Sequence, residues 1–170
     1  MKSHIGSAPY IVYLTAVALW CGMLLFVPFL TSIEHQSHTL SQSLYQAYSH
    51  ICHQYESRSV FIYGHKLPVC ARCTGIYSGY FIGSIAIFCL KRKWYARGFI
   101  PWFVIALPMI IDVFLNSTGL HASTICTRMS TGMIFGAGAA VILSWTIIEG
   151  INELISHPLF MKGVPHESKT

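Results

Sequence analysis

The sequence predicts an all-α protein, a four-helix transmembrane bundle with a short amphipathic helix in its first outer loop. Hydrophobic residues make up 54% of the 170 residues and charged residues only 10%, which leaves too few charged side chains to coat a soluble globule. Four apolar runs approach the length of about 20 residues that a helix needs to cross a bilayer. A basic cluster separates the second run from the third, as in a cytoplasmic loop.

The four apolar runs define the predicted spans, and Asp112 is their only charged residue. A cleaved signal peptide is the alternative for the first run, but that run is longer than the usual apolar core of about 7–15 residues. We expect one integral membrane domain over residues 1–158, followed by a mobile tail over residues 159–170. The predicted spans cover residues 10–30, 74–90, 99–115 and 129–148.

The basic segment 91–97 sets the predicted orientation, because short basic loops stay in the cytoplasm. Both termini are then cytoplasmic and the protein is a multi-pass component of the cell membrane, inner or plasma. The loops 31–73 and 116–128 face the outside together. The net charge of +5 reflects this orientation, so we expect the lipid bilayer and no nucleic acid as a partner. The oligomeric state stays open.

Within the first outer loop, apolar residues recur at helical spacing and predict the short amphipathic helix. It lies either on the membrane surface or across the end of the bundle, since both positions bury the same stripe. The residues of this stripe are Leu40, Leu44, Tyr48 and Ile51.

Spans two and four both carry glycines four residues apart, a spacing that lets helices pack closely in membranes. Both spans also begin with a similar segment that contains a cysteine, an arginine and a Thr-Gly pair. These features suggest an internal duplication, with chance similarity as the alternative. The glycines are Gly75, Gly79 and Gly83 in span two and Gly132 and Gly136 in span four.

The pair Cys70 and Cys73 directly precedes the second span, and a CxxC at a helix start is typical of metal binding or redox chemistry. Cys52 and His53 lie upstream and can fold back onto this pair. The predicted metal ligands are therefore these four residues, with His50 or an open position as the alternative to His53, and zinc is the expected metal because it accepts thiolate and imidazole in tetrahedral sites. Since adjacent ligands constrain the backbone, His53 can instead orient the site from outside. An oxidising compartment would favour a disulfide.

Asp112 requires a partner, because an unpaired charge is costly within the membrane. The arginines of the outer loops and helix starts are the expected partners, and the arrangement is either a packing ion pair or a pocket for an anion. An anionic small molecule or lipid would be the ligand of such a pocket. The candidate catalytic residues are Asp112, Arg58, Arg72 and Arg128.

These motifs together resemble a family of small predicted bacterial and archaeal membrane proteins that is classified only as a domain of unknown function. The resemblance implies a multi-pass protein with a shared Cys/His/Arg site and implies no activity. The chain departs from the family at residues 55–58, where the family tends to have Pro-Glu-Arg. The resemblance rests on Cys52-His53-Gln54, Arg58-Ser59, Gly64, the stretch Pro68–Tyr77, Asp112, Arg128 and Thr131-Gly132.

A second similarity is architectural. Four spans with a CxxC at the outer start of the second resemble the quinone-linked disulfide oxidases of the DsbB and vitamin K epoxide reductase class. This similarity implies that Cys70 and Cys73 exchange electrons with quinone while Cys52 or Cys126 relays them. We thus expect a metal site, catalytic or structural, beside an Asp112/arginine pocket on the extracytoplasmic face. A quinone-linked thiol-disulfide oxidoreductase and a small transporter are the alternatives.

Overall fold

A computed structural model describes residues 7–33, 39–87 and 100–156, and this part of the chain is mostly helical. The basic segment 91–97 and the tail 159–170 lie outside the described residues. In chain order the elements are α1 (Ser7–Ile33), α2 (Thr39–Ser49), a 3-10 turn (Glu56–Arg58), β1 (Ser59–Ile62), β2 (His65–Cys70), α3 (Ala71–Ala86), α4 (Ile100–Ser117) and α5 (Ile125–Ser156).

Helix α1 is the clearest apolar helix of the described part. Its segment Ala8–Ile33 has a mean hydropathy of 2.1, and within the described residues it alone is long and apolar enough to cross a membrane by those two criteria. Only 17% of its most apolar stretch is buried, whereas the core helix of a soluble protein is mostly covered. The apolar part of α4, Phe103–Ser117, is shorter.

The all-α class needs one correction, a two-stranded antiparallel hairpin that joins α2 to α3. Its turn residues Tyr63 and Gly64 both have positive φ, 53° and 77°, as the tight turns that match the twist of paired strands require. The segment before the turn is rich in β-branched and aromatic side chains, which favour strands. Strand β2 ends at Cys70, and α3 begins at the next residue.

Helices α3 and α5 pack in parallel through the glycines of both. A Cβ atom at Gly75 or Gly79 would collide with the backbone carbonyl of Met129 or Met133. The same contact recurs with the roles exchanged, because Gly132 lies against the carbonyl of Arg72 and Gly136 against that of Ile76. The close approach explains the spacing of the glycines, and the exchange of roles is what an internal duplication would produce.

Helices α1 and α4 run antiparallel to α3 and α5. In α1, Tyr13 hydrogen-bonds Ser84 near the end of α3, while Leu24 and Val27 pack in the same cluster as Cys70 at its start. In α4, Ile105 contacts Gly138 and Asn116 contacts Arg128, so α4 is antiparallel to α5. The end of α1, the hairpin, the start of α3, the end of α4 and the start of α5 therefore share one end of the bundle, hereafter the cysteine end.

The predicted amphipathic helix corresponds to α2, which lies across the cysteine end. Its Tyr48 is buried and contacts the ring of Trp20 in α1, with 5.5 Å between ring centroids. Leu44 packs against the same apolar cluster, whereas Leu40 and Ile51 remain about half exposed. The helix thus caps the bundle with part of its apolar stripe and leaves the rest of the stripe uncovered.

Candidate metal centre and the adjacent arginine pocket

Three cysteines converge at the cysteine end of the bundle. The sulfur atoms of Cys52, Cys70 and Cys73, hereafter the thiol cluster, lie within 4.8 Å of one another. Cys52 and Cys70 are buried and Cys73 is partly buried, and all three are free thiols. The expected return of Cys52 to the CxxC pair is therefore present, and the three cysteines are close enough to bind one metal ion.

Each thiol comes from a different kind of element. The backbone N–H of Cys52 donates to the carbonyl of Tyr48, 3.0 Å away, and so continues the last turn of α2. Cys70 ends β2 and precedes the first residue of α3, and Cys73 lies in the first turn of that helix. The hairpin thus reverses the chain between Cys52 and Cys70 and returns it to the same place.

Gln54 stabilises the turn that follows Cys52 and His53. Its φ of 51° lies in the left-handed region, which turns the chain away from the thiol cluster immediately after Cys52. Its side-chain amide donates a hydrogen bond of 2.7 Å to the carbonyl of Tyr45 in α2. The sequence alone assigned this residue no role, because neither the turn nor its partner can be inferred from the motif.

One sulfur of the thiol cluster, that of Cys52, favours negative charge, whereas hydrogen bonds to Cys52 and Cys70 raise the pKa of the Cys73 thiol. Hydrogen bonds from the thiols of Cys70 and Cys73 lower the pKa of Cys52 far below its ordinary value, although burial opposes this. The backbone N–H of Cys70 also donates to the Cys52 sulfur, 3.1 Å away. Thiolates are the ligands that zinc requires, so the donor set fits a metal ion.

The surroundings of the thiol cluster are apolar. The side chains packed with Cys52 and Cys70 are Leu24 and Val27 from α1, Tyr48 from α2 and Val69 from β2. Such a wall excludes water from most of the cluster and strengthens electrostatic attraction between thiolates and a cation.

His53 lies outside the cluster of ligand atoms. Its side chain is exposed, its Nδ1 accepts a hydrogen bond from the backbone N–H of Tyr55, and its ring stacks on the ring of Tyr55. His53 is thus exposed although the preceding residue, Cys52, is buried. The expected fourth ligand is therefore not contributed by His53 in this conformation. His50 and His121 are also exposed, and His35 and His38 lie outside the described residues.

On another side of α3, Arg72 forms an ion pair with Asp112 of α4. Asp112 is 8% exposed and the Arg72 side chain 18%, so the pair is largely shielded from solvent. Arg72 is thus the partner that Asp112 required. Because a helix turns about 100° per residue, Arg72 and Cys73 face different neighbours even though they are adjacent in the sequence.

Arg128 lies beside this pair and is 6% exposed. Its Nε donates to the carbonyl of Ser123 at 3.2 Å and its Nη2 to the side-chain oxygen of Asn116 at 2.8 Å. The sequence analysis missed Asn116, which follows Asp112 by one helical turn and therefore lies on the same face of α4. We call Arg72, Asp112 and Arg128 the arginine pocket.

Arg58, the remaining candidate, belongs to the 3-10 turn and is partly buried. Its guanidinium lies 5.7 Å from the centre of the Tyr55 ring, a cation–π distance. Its charge also acts on Arg128, although the nearest described partner of its side chain is an aromatic ring.

The chain is similar to known proteins in the region that carries both sites. Residues 52–142 match the model of the family described as "Predicted membrane protein (DUF2085)". An uncharacterized protein of Methanocaldococcus jannaschii is 35% identical over 139 residues, which cover 75% of this chain and 85% of the relative. Another, from Methanothermobacter thermautotrophicus, is 36% identical over 95 residues, 56% of this chain and 86% of the relative. No solved structure matches.

Proposed function

The chain belongs to the DUF2085 family of predicted membrane proteins, and we propose that it is a four-span membrane protein that binds zinc through its thiol cluster. The observation that carries this proposal is the meeting of three thiols within 4.8 Å inside an apolar wall. Zinc bound by three cysteines places sulfur atoms about 3.8 Å apart, as Zn–S bonds of about 2.3 Å at tetrahedral angles require. Sulfur atoms within 4.8 Å of one another are close to this spacing.

The alternating directions of α1, α3, α4 and α5 support the four-span topology. Helices that cross a membrane in sequence must alternate, and the parallel packing of α3 and α5 requires the chain between them to return. Helix α4 makes that return and exposes a large apolar face, with Phe103 71% and Leu107 51% exposed. A continuous apolar surface of this kind is expected to contact lipid. The four spans that we propose are those that the sequence predicts.

The orientation that we propose places the cysteine end outside the cell membrane and both termini in the cytoplasm. The basic segment 91–97 supports this orientation. It joins the end of α3 to the start of α4, both of which lie away from the cysteine end. The thiol cluster and the arginine pocket then lie together at the extracytoplasmic face. Metal binding would also protect the three thiols from oxidation in that compartment.

Zinc bound by the three thiolates would supply Lewis acidity and would leave room for water or a ligand, because this chain offers three ligand atoms there. The residues of this chain then have distinct tasks. Cys52, Cys70 and Cys73 hold the ion, Gln54 fixes the turn that presents Cys52, and the apolar wall limits access to the partly exposed side at Cys73. The arginine pocket lies beside the site and favours an anionic ligand.

A second candidate function is quinone-linked thiol oxidation, and one cavity favours it. A mostly apolar groove of about 390 Å³ lies between α1, α3 and α5 and is lined by residues that include Trp20, Cys21 and Tyr77. Tyr77 also packs against the apolar cluster that contains Cys52 and Cys70, so a quinone ring in this groove would approach the thiols. Cys126, the relay thiol of this alternative, is exposed at the start of α5.

The two functions place opposite demands on the same thiols. In detergent-purified protein, the zinc site predicts that the thiols become open to alkylation after chelation and that reductant alone changes little. The oxidase predicts a Cys70–Cys73 disulfide that reductant opens and quinone restores. Alkylation should therefore be counted after chelator, after reductant and after quinone. Quinone-dependent loss of both thiols in metal-free protein would contradict the zinc proposal.

A further inference from the structure

The cysteine end of the described structure carries more positive than negative charge. Both of its carboxylates are used in ion pairs, one between Arg72 and Asp112 and the other between Lys66 and Glu56 at 3.7 Å. In residues 39–87 and 100–156, no carboxylate lies within 4.0 Å of the other two cations at this end, Arg58 and Arg128. Two positive charges of these described ranges therefore have no carboxylate within ion-pair distance.

Arg128 makes this excess significant because it is buried. Its two hydrogen-bond partners, the Ser123 carbonyl and the Asn116 side chain, are neutral. Arg58 and Arg72 act on it electrostatically as like charges, and Asp112, whose charge acts in the opposite direction, is also paired with Arg72. One carboxylate is thus shared by two largely buried guanidinium groups, and a bound anion would lower the remaining cost of burying Arg128.

The donors around Arg128 are arranged for an oxyanion. The Nε of Arg72 is buried and has no hydrogen-bond acceptor among the described residues, so an unused donor adjoins the ion pair. Arg58 of the 3-10 turn and Arg72 of α3 are both close enough to act on the charge of Arg128 in α5. Guanidinium forks from several directions suit a tetrahedral phosphate, whose oxygens point in several directions, better than a planar carboxylate.

We propose that Arg58, Arg72 and Arg128 bind a phosphate group, either as free phosphate or as the headgroup of a phospholipid. The inference does not depend on the metal site. Zinc bound by three thiolates carries one net negative charge, which is less than the two positive charges that remain. The site lies where the ends of α3, α4 and α5 meet, at the level where phospholipid headgroups would lie in the proposed topology.

The first test measures the thermal unfolding midpoint in a phosphate-free detergent while orthophosphate is titrated at constant ionic strength. The wild type should show a saturable rise in the midpoint, as a ligand of the folded state produces. R128Q should weaken the apparent affinity about tenfold or more, because a charge-assisted contact is lost. R58Q, which alters a less buried residue, should weaken it several-fold. K66Q is the matched control, since it removes one charge at the same end, and should respond like the wild type.

A second titration uses short-chain phosphatidic acid to separate the two sources. If the lipid raises the midpoint in an Arg128-dependent manner and competes with orthophosphate, the phosphate belongs to a headgroup. If only orthophosphate acts through Arg128, the ligand is free phosphate. Equal responses in the wild type, R128Q and R58Q would overturn the proposal, as would a wild type that responds to neither probe. A shared response in all variants would indicate ionic screening only.

Discussion

Two clusters of different character meet at the first turn of α3. The thiol cluster faces α1 and α2, is walled by Leu24, Val27 and other apolar side chains, and has ligand atoms directed toward one point. The arginine pocket faces α4 and α5 and contains charged and amide groups that contact one another. One turn of helix therefore contributes to the thiol cluster on one side and to the arginine pocket on the other, because Arg72 lies between Cys70 and Cys73 in the sequence.

The difference shows how each cluster is stabilised. Cys52 accepts hydrogen bonds from the other two thiols and from a backbone N–H, so the cluster can remain in an apolar wall without a cation. Arginine cannot lose its charge, so the arginine pocket depends on Asp112 and on neutral acceptors such as Asn116. We therefore expect changes at the thiol cluster to act mainly on metal binding and changes at the arginine pocket to act mainly on stability.

The largest expected effect is on metal content. C70S should reduce zinc from about one equivalent per chain to nearly none, because two remaining thiols cannot complete a tetrahedral site. Elemental analysis of detergent-purified protein measures this. C126S is the matched control, since Cys126 is exposed at the same end and lies outside the thiol cluster. Equal zinc in wild type and C70S would show that the ligands lie elsewhere.

On the other side of α3, D112N should lower the free energy of unfolding by about 3–5 kcal/mol, because it leaves the Arg72 guanidinium buried without its carboxylate. Denaturant unfolding in mixed micelles measures the change. The double variant D112L/R72M removes both charges and should recover most of the loss. If the double variant is as unstable as D112N, the cost arises from packing and not from the unpaired charge.

Between the two clusters, the glycine contacts hold α3 against α5. G79A should lower the free energy of unfolding by about 1–3 kcal/mol, because the added methyl group meets the carbonyl of Met133. G22A in α1 is the control, since no atom lies within 4 Å of the position of its new methyl group. That variant should be neutral or slightly stabilising. Equal stability of G79A and wild type would contradict the close parallel packing.

The smallest effect concerns the turn that presents Cys52. Q54A should cost about 1 kcal/mol through the lost hydrogen bond to the Tyr45 carbonyl. Q54G loses the same bond but accepts the φ of 51° without strain, so it should be more stable than Q54A. Thermal unfolding of the two variants measures the difference. The reverse order would mean that the left-handed conformation at this position is not maintained.

Local spacing allowed part of this structure to be predicted. The CxxC spacing places Cys70 and Cys73 one helical turn apart, and the glycine spacing indicates a closely packed helix face. The hairpin was missed because its strands are short and only its Tyr63-Gly64 turn marks them. The choice of Arg72 over Arg58 or Arg128 as the partner of Asp112 depends on how α3 and α4 meet, which no local pattern encodes.

The same limit applies to the ligands of the thiol cluster. The meeting of the three cysteine sulfur atoms could be predicted because each cysteine flanks a segment that can fold back. His53 was added to the predicted metal ligands only because it is adjacent to Cys52 in the sequence. The hydrogen bond and the ring contact of His53 are with Tyr55 instead, and its side chain is exposed. Gln54 fixes the turn through its left-handed backbone and its hydrogen bond to the Tyr45 carbonyl.

X-ray absorption at the zinc edge tests whether Cys52, Cys70 and Cys73 share one metal ion. The purified wild-type protein should show three sulfur scatterers at about 2.3 Å and one lighter atom at about 2.0–2.2 Å. The C126S control should give the same spectrum. A shell of oxygen and nitrogen atoms without sulfur, or no bound metal together with a Cys70–Cys73 disulfide, would contradict the account.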